Sequence, residues 1–187
     1  MAVRIQIQQA MLTIVLLGGA VTLVAEQPCP PQFQNIRTTE RDVRLAVASC
    51  FERSITCRGL IETIEASATI VYVKTGWCRS TRPSSCLNFM ANGVEVYRYL
   101  RVTLDPALRG DTVIAVLGHE LQHAVEIVRA PEVTGTDTMR ALFEKIGYRL
   151  HSYSGFDEWE TVEARHTHDV VWDELKQARK ALLQARR

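Results

Sequence analysis

Val116-Leu117-Gly118-His119-Glu120-Leu121-Gln122-His123-Ala124-Val125 is the stretch around which the rest of the chain organises. Helix signals surround it: Asp111 can cap the start, the apolar positions recur at helical spacing, and Pro131 lies just beyond the end, so a helix is predicted from Thr112 to about Arg129. On such a helix, residues four apart share one face. His119 and His123 then present two imidazoles one turn apart, able to share a single divalent ion, and zinc accepts such nitrogens well. Glu120 projects beside that ion rather than onto it, which suits a general base that takes a proton from an activated water. Only five histidines occur in 187 residues. The chance of two of them falling in this arrangement around a glutamate is on the order of one per cent, so coincidence is a weak rival.

A catalytic zinc takes three protein ligands and keeps one position open. Glu126 shares the face of His123, yet three ligands spread over two turns of one straight helix do not converge readily, so an orienting role suits it better. Glu144 lies in a helix predicted over Thr138 to Ile146. There it faces away from the buried stripe Met139, Leu142, Phe143 and Ile146 and reads as a solvated partner of Arg140. Glu160 is the preferred third ligand. It falls on the stripe of Thr161, Ala164, Val171, Leu175 and Ala178 that a last helix, beginning near Phe156, turns inward, and a carboxylate on a buried face needs a partner. His151 and His168 are weaker candidates, since a lone histidine there is more often hydrogen-bonded in the core. Tyr148 and His151, with Tyr153, form a cluster after Gly147 that can donate to a tetrahedral oxyanion, with aromatic packing as the competing reading. Trp159 and Trp172 read as core.

Upstream, a first helix is expected after Thr38-Thr39, where Thr39 and Asp42 resemble a capping box, and Val43, Ala46, Val47, Cys50 and Phe51 fall on one face. A second helical piece spans Leu60 to Ala66. The period then shortens to two: Thr69 to Val73 reads as a strand, and Cys86 to Met90 with Val94 to Leu104 read as a hairpin around Asn92-Gly93. Arg98 interrupts the apolar row of the second arm. The expected fold is α+β: N-terminal helices, a small three-stranded, mainly antiparallel sheet, the histidine-bearing helix, and C-terminal helices.

Residues 1–25 carry Arg4 alone before an apolar run from Met11 to Ala25, a secretory signal pattern with cleavage expected after Ala25; an uncleaved N-terminal anchor is the alternative. Residues 26–37, with three prolines, read as an extended lead-in, and 38–187 as one domain. The chain has 22 basic and 21 acidic residues. Without Arg4 the balance is even, which argues against a nucleic-acid partner and leaves membrane contact to an uncleaved leader. All five cysteines follow residue 25, so disulfides are expected in an exported chain, whether periplasmic, extracellular or held in a cell envelope. Cys78 and Cys86 bracket a turn-rich stretch and are the preferred pair. Cys50 and Cys57 can join only if the helix breaks near Thr56, because seven residues of continuous helix hold their Cα atoms about 10 Å apart.

The ten residues Val116 to Val125, with a valine three positions before the first histidine, uncharged residues inside and an apolar residue after the second, resemble the zincin metallopeptidases. The helix, three strands, active helix, C-terminal helices order is similar to the compact gluzincin arrangement. The resemblance implies Zn2+ as cofactor, an active helix beneath a small sheet whose edge strand pairs with an extended peptide, and an exported peptidase acting on a peptide or protein substrate. The alternative is a zincin-fold protein that binds a metal or partner without catalysis.

Overall fold

The computed structural model describes residues 31–78, 85–90, 97–150 and 158–185. Two strands with long apolar runs set the main sheet. β2 (Thr69–Thr75) buries Ile70, Val71 and Val73, and β4 (Arg98–Leu104) buries Leu100, Val102 and Leu104. Strands this apolar belong where both edges are paired, and they take the inner places of a four-stranded sheet ordered β1-β2-β4-β3. β1 (Ile36–Arg37) forms one edge, and β3 (Ser85–Phe89), only half-buried from Cys86 onward, forms the other. The chain is therefore α+β, with the sheet packed against helices.

The expected hairpin pairing is present, since β3 runs antiparallel to β4 from Ser85 opposite Leu104 to Phe89 opposite Leu100. Its Asn92-Gly93 turn lies outside the described residues. The expected three-stranded, mainly antiparallel arrangement is corrected. β2 pairs parallel with β4, from Thr69 opposite Arg98 to Thr75 opposite Leu104, and β1, drawn from the lead-in, adds a fourth strand parallel to β2. Apolar alternation tells which side chains share a face; it is the same for either strand direction and does not name the neighbour.

Helix α1 (Arg41–Arg53) buries Val43, Ala46, Val47 and Cys50. Thr39 does not cap it. Glu40 holds the cap position without a side-chain cap, and its carboxylate instead accepts from Thr75 N at 3.1 Å and Thr75 Oγ1 at 2.7 Å, tying the helix start to the end of β2. The chain breaks at Ser54, in extended backbone, before α2 (Ile55–Glu65), which starts earlier than the predicted Leu60. Ser54 Oγ accepts from Cys57 N at 2.9 Å, a hydroxyl cap. That break brings Cys50 and Cys57 to a Cα separation of 5.4 Å and lets them bond; Cys78 and Cys86 are bonded as well, at 6.1 Å. Two disulfides are consistent with an oxidising environment. No helix among the described residues is long and apolar enough to cross a membrane.

The central element is α3 (Asp111–Val128), buried from Ile114 to Ile127 apart from half-buried His119. It packs against α1, α2 and α5 and against β3 and β4. Burying side chains such as Leu117, Leu121 and Ile127 contributes about 1.5–3 kcal/mol each. Gly110, at φ +57°, takes the cap position in place of Asp111, which pairs with Arg53 at 2.8 Å and with Arg179. At the other end Arg98 shows why it interrupts its strand: its guanidinium donates to the carbonyls of Ile127 at 2.6 Å, Ala130 at 3.0 Å and Val128 at 3.3 Å. Ile127 and Val128 belong to the last turn of α3, where carbonyls run short of helical partners; Ile127 O and Ala130 O also accept from Ala130 N and Val133 N, and a cation is favourable at this negative end of the helix.

Helix α4 (Thr136–Ile146) ends at Gly147, as expected, and starts two residues before the predicted Thr138. A last helix from Phe156 is corrected: Phe156 lies outside the described residues, and a two-stranded sheet of β5 (Tyr148–Leu150) and β6 (Glu158–Glu160) precedes α5 (Val162–Ala185). A Cβ on Gly147 would sit 2.4 Å from the carbonyl oxygen of Glu160 and 2.9 Å from that of Phe143. This position therefore admits only glycine without displacement. Trp159 and Trp172 are partly buried against the core.

Candidate metal centre

His119 and His123 project from α3 one turn apart, their rings 4.8 Å between centroids and nearly perpendicular. Glu160 meets them from the end of β6, not from the inward stripe of a helix. His119 Nε2 stands 3.6 Å from Glu160 Oε2, and His123 Nε2 stands 3.4 Å from Glu160 Oε1. One ligand atom from each of the three residues lies within 4.8 Å of the others, and the group can hold a metal ion. Ligands about 2.0–2.2 Å from a tetrahedral ion are about 3.4 Å from one another. The two imidazole-to-carboxylate distances, one to each oxygen of Glu160, are close to that length.

Orientation comes from a further set of hydrogen bonds. His123 Nδ1 donates to Glu126 Oε2 at 2.8 Å, which fixes the ring and leaves Nε2 for the shared site. Glu126 Oε1 accepts from Thr161 Oγ1 at 2.7 Å, while Thr161 N donates to Glu160 Oε1 at 2.8 Å. The same Thr161 Oγ1 accepts from Ala164 N at 3.0 Å, capping α5. One threonine thus links two carboxylates and starts the helix that packs on α3. Phe143 closes the far side of His123, edge-on at 5.3 Å.

Glu120 is 3% exposed. Its Oε1 accepts from Ser85 Oγ at 2.5 Å, and Oε2 is buried with no protein partner among the described residues. Three carboxylates, Glu120, Glu126 and Glu160, therefore surround two imidazoles in a poorly solvated cluster, an excess of acidic groups that a cation can balance. The imidazoles respond in opposite ways. Burial lowers His119, outweighing the charge of Glu120. For His123 burial acts downward too, but the hydrogen bond to Glu126, the Glu160 carboxylate and the charge of Glu120 overcome it and push the group up to about 10. Burial pushes Glu160 upward, yet His123, His119 and the Thr161 amide hold it below the usual carboxylate value.

Of the other sequence candidates, Glu126 stands behind His123 rather than in the ligand group, and Glu144 is exposed on α4. Tyr148 sits directly across from Glu160 in the β5–β6 register, and its hydroxyl accepts from Arg165 Nη1 at 3.1 Å. His151 and Tyr153 lie outside the described residues. His168 is paired with Asp169 at 3.2 Å and is not among the ligands. Sequence reasoning missed the roles of Ser85 and Thr161. Thr161 carried a signal, a hydroxyl residue at the mouth of a helical run, hidden by starting that helix too early. Ser85 carried none. Comparison with protein-family models, with curated proteins and with solved structures returns no match to this chain.

Proposed function

We propose that this chain is an exported zinc-dependent peptidase of the zincin type, with His119, His123 and Glu160 as the ligands and Glu120 as the general base. The observation that carries the reading is the convergence of two helical imidazoles and one strand carboxylate, their ligand atoms all within 4.8 Å of one another, with a buried glutamate next to the first ligand. Two histidines and one carboxylate leave a fourth position for water or substrate, the pattern of catalytic rather than structural zinc. Zinc held by His119, His123 and Glu160 would supply a Lewis acid for a scissile carbonyl and would lower the pKa of a bound water to about 7. Glu120 takes the proton of the attacking water through its unpartnered Oε2. Glu126 keeps His123 in the tautomer that offers Nε2, and Tyr148, across from Glu160 in the strand register, is the proposed donor to the developing oxyanion. The two disulfides and the leader pattern support export.

The test is metal analysis combined with digestion of a broad peptide library. Wild-type protein is expected to hold one zinc per chain and cleave peptides, His123→Ala to lose both properties, and Glu120→Ala to lose cleavage alone. Unchanged turnover in Glu120→Ala refutes the mechanism. One equivalent of zinc with no cleavage of any peptide favours instead a metal-binding protein without catalysis.

A further inference from the structure

Glu120 is held from outside its own helix. A glutamate carboxylate turns easily about its last torsion, with two broad and nearly equivalent orientations. Here the Ser85 hydroxyl grips Oε1 at 2.5 Å, in a place where both side chains are almost free of solvent. A hydroxyl bonded to a charged acceptor in such surroundings is among the stronger hydrogen bonds. Oε2 keeps no protein partner among the described residues. Ser85 is itself anchored: it opens β3 opposite Leu104, and Cys86, the next residue, is bonded to Cys78. We propose that Ser85 is a positioning residue for the hydrolytic reaction, fixing one oxygen of Glu120 so that the other faces the attacking water, and that the Cys78–Cys86 bond keeps the hydroxyl in place. This rests on the reading of Glu120 as general base. Among the described residues the Ser85 hydroxyl bonds Glu120 and not His119, His123 or Glu160, so its effect falls on the proton transfer and not on metal or substrate binding.

The experiment compares Ser85→Ala, Ser85→Thr and the double variant Cys78→Ser/Cys86→Ser with wild type, all zinc-loaded and checked for folding by circular dichroism. Ser85→Ala is expected to retain one zinc per chain and a KM within about twofold, while kcat falls about tenfold, the size of one hydrogen bond to a charged group. Ser85→Thr, which keeps the hydroxyl, restores kcat to within about threefold. The double cysteine variant keeps the hydroxyl without its anchor and loses kcat by about threefold; should Ser85→Ala not fold, this variant decides. A readout independent of activity is the 13C resonance of the Glu120 carboxylate, identified by its absence in Glu120→Gln. It shifts in Ser85→Ala and returns in Ser85→Thr. An unmoved resonance, an unchanged kcat, or a loss confined to KM or zinc content overturns the proposal. The two readings fail separately: Glu120→Ala inactive beside a fully active Ser85→Ala removes the role of Ser85 alone, whereas zinc-loaded wild type that cleaves no peptide removes the base and Ser85 with it.

Discussion

Replacing Gly147 by alanine should weaken zinc binding at the candidate centre without touching a proposed ligand. The added Cβ would lie 2.4 Å from the backbone oxygen of Glu160 and 2.9 Å from that of Phe143, where ordinary contact begins at 3.4 Å. Both obstacles are backbone, one fixed by the last turn of α4, so relief comes mainly from pushing β6 outward by about 1 Å. Zinc ligands tolerate displacements of only about 0.2 Å before the bond is lost or strained. The Glu160 carboxylate, 3.4 and 3.6 Å from the two imidazoles, would draw away from both. A loss of about 10–100-fold in zinc affinity is expected, the range seen when the supporting shell of a site is disturbed. Overpacking also costs about 1–3 kcal/mol of stability, so the melting temperature falls by several degrees. Zinc affinity is measured by competition with a chromophoric chelator, on protein whose circular dichroism matches wild type. A Kd within twofold of wild type in folded Gly147→Ala refutes the assignment of Glu160 to the shared site.

Glu126→Gln keeps the shape but weakens the partner of His123 Nδ1, and zinc affinity should drop about tenfold in the same chelator competition, with Glu126→Ala worse. Tyr148→Phe should lower kcat by about 100-fold with zinc content unchanged, as measured by steady-state peptide hydrolysis; a loss in KM alone would assign the hydroxyl to substrate binding instead. In metal-free protein the raised His123 favours the folded state fully below its unfolded pKa of about 6.5, and this stabilisation is lost as pH rises through about 10, so chelated protein should melt progressively lower from pH 7 to pH 10. The same proton competes with the ion, so zinc affinity should tighten toward about tenfold per pH unit between pH 6 and 8; a Kd flat over that range contradicts the burial of a protonated His123.

Much of the centre was legible because its informative residues are close in sequence. The four-residue spacing of His119 and His123 needs only a helix to bring the rings together, and the helix announces itself through its apolar face. The paired cysteines were legible for a similar reason, since eight residues or fewer separate the partners and only a break at Ser54 was required. Glu160 was expected on the inward face of a helix; it is half-buried at the end of a three-residue strand, which gains its stability from β5 and from the glycine it passes, neither of which leaves a periodic trace. The parallel pairing of β2 with β4 was not legible, because identical alternation serves both directions. Arg98 looked like a flaw in a strand until the end of α3 was in place to receive it. Ser85 and Thr161 act through partners 35 residues away, a relation that no local pattern encodes.

The placement of Glu160 on a strand, while both imidazoles belong to α3, has a mechanical consequence. An ion gripped by all three closes a loop of about 37 residues between His123 and Glu160, a staple made of coordinate bonds instead of sulfur. Chelation should therefore release the segment from α4 to the head of α5 first, visible as faster amide exchange there, while the sheet and the disulfide-braced N-terminal helices stay closed.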